Sequence, residues 1–206
     1  MTAAESCQRA LGLGASTIYE AAGGVGALDP SIRPVWKGAV CCGPAFPLAC
    51  AAGDNLAVHR ALEVCAPGDV LVIDAAGDNR GYFGEVLANA AIARGVMGVV
   101  VNAGVRDVDA FERMRFPVFS RWISMGRTVK RNPGSVGAAV TLGDVRVARG
   151  SLVLADADGV LITDEAAFEE TLRKAEARAA REVEIIARLK DGELTLDLLG
   201  LRSAGG

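Results

Sequence analysis

The sequence predicts an α/β protein, read as one domain over residues 1–206, and three observations predict it. Two short aliphatic runs, 70–73 and 99–101, flank an amphipathic stretch near 85–94, which together read as strand, helix and strand. A turn that leads into a strand occurs twice, as Ala66-Pro67-Gly68-Asp69-Val70-Leu71-Val72-Ile73 and as Ala148-Arg149-Gly150-Ser151-Leu152-Val153-Leu154-Ala155. A long helical pattern closes the chain, with Phe168, Leu172, Ala175, Ala179, Val183 and Ile186 on one stripe.

Residues 16–26 read as a short helix, with Thr17 as N-cap and Gly23-Gly24 as the stop. The apolar residues of 32–42 enter the sheet, and Pro34 and Gly43-Pro44 break the run. Residues 54–64 carry Leu56, Val58, Ala61 and Leu62 at helical spacing before Pro67-Gly68 ends the pattern. After Asp107 a short helix over 108–114 leads past Pro117 into a strand at Val118-Phe119. Short strands at 136–140, 145–147, 152–155 and 160–162 follow, the last two joined by a hairpin at Asp158-Gly159. Asp156 and Asp158 therefore read as turn residues rather than metal ligands. The last helix runs over 164–190 and stops at Gly192.

With 51% hydrophobic but only 5% aromatic residues, the core is built from Ala, Val, Leu and Ile, and such an apolar chain expects sister subunits over part of its surface. A net charge of −3 with a pI near 5.3 gives no basic field for nucleic acid, so no nucleic-acid partner is expected. No stretch reaches the ~20 apolar residues that span a bilayer. No membrane partner is expected, and the protein is read as cytoplasmic. Five cysteines without a CxxC pair fit buried free thiols better than zinc or a disulfide framework. His59, the only histidine, follows a helix start, where packing or capping is the ordinary role. Gly12 and Gly14 lack the third glycine of a dinucleotide fingerprint, and no serine stands in a Gly-x-Ser-x-Gly elbow.

The chemistry concentrates in Gly77–Leu87 and Gly104–Asp107, both at strand-to-helix hand-overs, where open α/β sheets gather ligands. Gly81 and Gly84 let the backbone approach a ligand, and the helix that follows offers unpaired N–H groups to an anion. Arg106 has the planar fork that suits a carboxylate. Asp107 offers hard oxygen to a divalent cation, and magnesium accepts one carboxylate with waters and substrate. Taken singly, an Arg-Asp pair is an ordinary solvated pair and a glycine turn an ordinary turn; only their shared placement sets a functional reading beside the structural one. The cations Arg121, Arg127, Lys130 and Arg131 read either as a solvated loop or as the partners of a distal substrate carboxylate.

The chain resembles the class II pyruvate aldolases of the 4-hydroxy-4-methyl-2-oxoglutarate aldolase type and their RraA-like relatives, which regulate a ribonuclease. The matching text is Gly-Tyr-Phe-Gly-Glu-Val-Leu-Ala at 81–88, Ala-Gly-Val-Arg-Asp at 103–107 and Phe-Pro-Val-Phe-Ser at 116–120, with Gly-Ser-Val at 134–136 and Ala-Asp-Ala-Asp-Gly-Val at 155–160. The resemblance implies a layered β/β/α fold, swivelling-domain-like, with a central mixed sheet and a long C-terminal helix. It implies a homotrimer or homohexamer with sites between subunits. It also implies a Mg²⁺ or Mn²⁺ enzyme that releases pyruvate from a 4-hydroxy-2-oxo di- or tricarboxylate and decarboxylates oxaloacetate.

On this resemblance Asp107 holds the metal, Arg106 contacts the pyruvyl group, and the helix mouth at Gly84, Val86 and Leu87 binds its carboxylate. Glu85 holds a metal-bound water. A glutamate of a neighbouring subunit's C-terminal helix completes the site, with Glu184 fitting best and Glu182 close by. Asn102 stands where the family often has Asp, which puts metal affinity in question. No lysine is placed to form a Schiff base. The alternative is a non-catalytic RraA-like regulator of ribonuclease activity; a methyltransferase role finds no nucleotide-binding glycine motif.

Overall fold

The computed structural model describes residues 3–203. Four parallel strands carry the centre: β2 (Cys41–Ala49), β3 (Val70–Asp74), β5 (Gly98–Val105) and β6 (Val118–Ile123), in the order β2-β3-β5-β6. The short strand β1 (Arg33–Pro34) borders β6 antiparallel, and β4 (Gly81–Phe83) runs beside the far end of β5. Beyond β2 the sheet turns antiparallel through β10 (Leu152–Asp156) and β11 (Gly159–Thr163), which makes it mixed. β7 (Ser135–Val136) pairs with the end of β2, and β8 (Val140–Leu142) with β9 (Val145–Val147) forms a separate hairpin. The helices are α1 (Ala3–Leu13), α2 (Ala15–Ala21), α3 (Leu56–Val64), α4 (Glu85–Ala93), α5 (Val108–Arg113), α6 (Glu165–Lys190) and α7 (Thr195–Leu198).

Alternation along the central strands sorts the core into layers, because successive side chains leave opposite faces of a sheet. Leu71, Ile73, Val99 and Val101 pack under α3, α4 and α5 with Phe83 and Phe111. Val70, Val72, Val100 and Phe119 face Val140, Leu142 and Val147 of the small hairpin. This is the mixed-sheet, layered α/β arrangement expected. A third cluster joins α1, α2 and the first half of α6 to β10 and β11 through Ala10, Ile18, Leu154, Leu161, Phe168 and Leu172.

Several local expectations are corrected. β2 runs through Gly43, Pro44 and Pro47 instead of breaking there. Cys41–Pro44 pairs with β10 on one side and Ala45–Ala49 with β3 on the other, so each stretch has one main ladder and the prolines withhold little. The cap of α2 is Gly14 rather than Thr17, and Asp156 Oδ2 accepts from Ala15 N at 2.7 Å to satisfy that helix start. The stretch 136–140 is two separate strand ends, of β7 and β8, rather than one strand. Cys7 and Cys42 are joined in a disulfide across 35 residues, with Cα atoms 5.4 Å apart. Only the packing of α1 on β2 brings them together, and spacing gives no hint of it. Cys41, Cys50 and Cys65 are free thiols, and burial pushes Cys41 up to about 12. The hairpin at Asp158 is as expected, with Asp156 opposite Gly159. No described helix is long and apolar enough to cross a membrane.

Candidate active site

β4, α4 and the end of β5 bring the two polar stretches together. Asp107 sits at φ 61°, ψ 41°, a left-handed conformation that Asp tolerates better than most residues. That turn stops β5 and sends the carboxylate back across the start of α4, where Oδ2 accepts from Glu85 N at 3.0 Å. Arg106 Nε lies 3.8 Å from the same oxygen. Its own N–H donates to Phe83 O at 3.0 Å, which fixes the Arg-Asp pair to β4.

Gly84 is what allows this approach. A Cβ there would lie 2.5 Å from Asp107 Oδ2, 3.2 Å from Arg106 Cγ and 3.3 Å from Arg106 Nε. Its backbone is extended, so the requirement is for space and not for an unusual φ. Gly81 is confined in the same way, with Ser124 O 2.7 Å from where a Cβ would stand. The first bond of α4 is Ala88 N to Gly84 O, so the N–H groups of Val86 and Leu87 fall in the turn whose amides have no partner within the helix. They point with the positive end of the helix dipole.

A cleft of about 270 Å³ opens here, lined by Gly84, Val86, Leu87, Arg106 and Asp107 and, on its other side, by residues of α3 and of 127–130. Glu85 borders an adjoining hollow that also meets Arg106 and Asp107, and its carboxylate lies 3.7 Å from Arg113 Nη2. Gly84, Glu85, Val86, Leu87, Arg106 and Asp107 are therefore all gathered in one place. Glu184 is not. It stands exposed on the outer half of α6 and lines neither hollow of its own chain. Glu182 is tied to Arg178 at 2.9 Å.

Of the four cations singled out in sequence, Arg127 and Lys130 line the cleft. Arg121 is engaged elsewhere: Nε donates to Asn102 Oδ1 at 2.9 Å and Nη2 lies 3.1 Å from Asp29. Asn102 in turn donates to Asp74 at 2.9 Å, so it serves a network beside the cleft and does not line it. Sequence reading also passed over Asn55, His59 and Tyr82. All three line the cleft, and the spacing of Asn55 and His59 by one helical turn was the available signal. Burial, with the Lys130 charge beside it, holds His59 below the usual imidazole value. Burial and then the hydrogen bond to Asp78 push the Tyr82 phenol up to about 12.

A family model described as RraA-like, Aldolase/RraA, matches residues 15–162. The chain belongs to the Aldolase/RraA family. A relative from Halalkalibacterium halodurans, named "Putative 4-hydroxy-4-methyl-2-oxoglutarate aldolase", is 35% identical over 164 residues, covering 79% of this chain and 78% of the relative. A structure described as the RNA-processing inhibitor RraA from Thermus thermophilis is 30% identical, with TM-score 0.62, covering 68% of this chain and 85% of its own. An uncharacterized protein from Pseudomonas syringae superposes with TM-score 0.82 over 97% of this chain and 95% of its own, and at 22% identity it shows the fold alone. Within the family fold, the conjunction of Gly84, Arg106 and Asp107 marks the chemical centre.

Chemically, the donor set is oxygen only. Asp107 Oδ2 is engaged by Glu85 N, which leaves Oδ1 for a cation. Among the described residues no group of three His, Cys, Asp or Glu could close a cage. One carboxylate on an open cleft suits magnesium or manganese, which keep waters and share substrate oxygens, and does not suit structural zinc.

Proposed function

We propose that the protein is a divalent-metal-dependent pyruvate aldolase, a lyase that cleaves a 4-hydroxy-2-oxo di- or tricarboxylate, of the 4-hydroxy-4-methyl-2-oxoglutarate or 4-carboxy-4-hydroxy-2-oxoadipate type, and also decarboxylates oxaloacetate. The observation that carries the reading is the convergence at Gly84, where a side chain would strike Asp107 Oδ2 at 2.5 Å. The family names of the relatives agree with it.

Asp107 would hold Mg²⁺ or Mn²⁺, which when bound supplies a Lewis acid for the charge that develops on the 2-oxo oxygen. The N–H groups of Val86 and Leu87 donate to the C1 carboxylate, and Arg106 lays its fork against the pyruvyl group. Glu85 positions a water that takes the proton of the C4 hydroxyl as the C3–C4 bond breaks. The electron pair of that bond is left on pyruvate as its enolate, which a proton at C3 then quenches. Oxaloacetate reaches the same enolate by losing carbon dioxide.

The assembly in this reading is a homotrimer or homohexamer in the cytoplasm. α6 has 26 residues, about 39 Å at 1.5 Å per residue, and only Phe168, Thr171, Leu172 and Ala175 of it are buried. Its outer half carries Val183 and Ile186 into solvent, which supports a role over a second copy, where Glu184 would reach that copy's Arg106 and Asp107. Because Glu182 is already paired with Arg178, Glu184 is the better carboxylate for the task.

The RraA neighbour supports a second reading, a regulator that binds a ribonuclease and catalyses nothing. One assay separates them. Pyruvate release from a panel of 4-hydroxy-2-oxo acids with Mg²⁺, lost in Asp107→Ala, supports the enzyme; no release from any of them, with inhibition of a ribonuclease instead, supports the regulator.

A further inference from the structure

The aldolase reading uses one side of the cleft and leaves the other without a task. That other side is built from the start of α3 and the segment 127–130, and the two are stitched together. Asn55 N donates to Val129 O at 3.0 Å, Val129 N donates to Gly53 O at 2.8 Å, and Asp54 Oδ2 accepts from Arg131 N at 2.6 Å and Asn132 N at 2.8 Å. The wall is therefore held in place by backbone bonds before any ligand arrives.

Two polar atoms in this wall have no partner. Asn55 is only 5% exposed, and its Nδ2 donates to Tyr82 O at 2.9 Å, yet its Oδ1 accepts from no described group. His59 lies four residues on, hence on the same face of α3, and its buried Nε2 is equally unpartnered. Buried polar atoms in native proteins are nearly always satisfied, and an exception in a cleft wall marks a place where a ligand supplies the missing bond. Arg127 and Lys130 bring two positive charges to the same wall.

We propose that Asn55, His59, Arg127 and Lys130 form the subsite for the part of the substrate beyond its 2-oxo-acid end, and that this part is a carboxylate with a hydroxyl on the adjoining carbon. The proposal rests on the aldolase reading. The carboxylate answers Arg127 and Lys130, and the hydroxyl donates to Asn55 Oδ1, which a carboxylate alone has no proton to satisfy. His59, kept neutral by burial and the neighbouring Lys130, donates Nε2–H to the carboxylate without adding a third charge. Asn55 and His59 thus set specificity, whereas Arg106 and the α4 amides serve the pyruvyl end common to every substrate of the reaction.

The test compares 4-hydroxy-4-methyl-2-oxoglutarate with 4-hydroxy-2-oxopentanoate, which lacks only the carboxylate on C4. In His59→Leu and in Lys130→Met, kcat/KM for pyruvate release from the diacid should fall by about 10- to 100-fold, the loss expected for a hydrogen bond to a charged group. For the monoacid it should change by less than about 3-fold. His59→Asn, which keeps a donor, should recover part of the loss. Asn55→Ala should lower the diacid value in the same way, and if that variant fails to fold, His59→Leu and Lys130→Met carry the test. Equal losses on both substrates, or no loss on either, would overturn the subsite. Methyl-proton exchange of pyruvate in D₂O with Mg²⁺, followed by NMR, distinguishes the underlying reading. Wild type that neither exchanges pyruvate protons nor releases pyruvate overturns the aldolase and the subsite together. Wild type that exchanges while the variants lose both substrates equally overturns the subsite alone.

Discussion

Replacing Gly84 by alanine separates the site from the fold. The new Cβ would stand 2.5 Å from Asp107 Oδ2 and 3.2 Å from Arg106 Cγ, whereas a comfortable carbon contact is about 3.5 Å or more. Since φ at Gly84 is −157°, alanine adopts the backbone freely, and relief comes from swinging the Asp107 side chain away by about 1 Å. That movement breaks the bond to Glu85 N, worth about 0.5–1.5 kcal/mol. In a chain of this size the melting temperature should then fall by only about 1–6 °C, at about 2–4 °C per kcal/mol. The same displacement should lower kcat/KM for pyruvate release by about 100-fold, because reacting groups tolerate little misplacement. Steady-state kinetics with saturating Mg²⁺, beside a thermal melt, reads both effects. Full activity in a well-folded Gly84→Ala protein would refute the argument that Asp107 must lie against this helix start.

Three further outcomes follow from the same structure. Tyr82 is fully buried, and its hydroxyl accepts from Gly53 N at 2.5 Å and donates to Asp78 Oδ2 at 2.8 Å. Tyr82→Phe should therefore cost about 1–3 kcal/mol in denaturant unfolding, and no change would show that these bonds contribute nothing net. At Asp54 burial acts to raise the carboxyl, but the amides of Leu56, Asn132 and Arg131 outweigh it and hold it below the usual 3.8. Its share of stability is present above that value and is lost as pH falls through the lowered one; the unfolding midpoint of Asp54→Asn should accordingly depend less on pH in that acid range, and parallel curves would contradict this. If Glu184 of one copy serves another copy's Asp107, mixing inactive Glu184→Gln with inactive Asp107→Ala should regain part of the activity through mixed assemblies. Inactivity of every mixture that has demonstrably exchanged subunits would count against a shared site.

The parts of the structure that were legible in sequence are those whose cause is local. The βαβ unit from Val70 to Val101 shows in its buried aliphatic runs, and the Asp158-Gly159 hairpin shows in its turn residues. Gly84, Arg106 and Asp107 were legible because glycine before a helix and Arg-Asp after a strand each name a position. What escaped depends on neighbours far along the chain. β2 keeps its prolines because its ladders change sides between Pro44 and Ala45. Cys7 meets Cys42 because α1 packs on β2, and Arg121 leaves the cleft because Asp29 and Asn102 hold it. His59 read as an ordinary packed residue, and only the assembly of α3 against 127–130 places it in the cleft wall.

The central claim is that Asp107 holds a divalent metal against a 2-oxo acid bound at the mouth of α4. Pyruvate release from 4-hydroxy-4-methyl-2-oxoglutarate tests it most directly, measured with Mg²⁺, after exhaustive chelation, and in Asp107→Ala. The account predicts turnover that disappears on chelation, returns with Mg²⁺ or Mn²⁺, and is absent from a folded Asp107→Ala protein. Turnover that persists without metal, or survives the loss of Asp107, would contradict it.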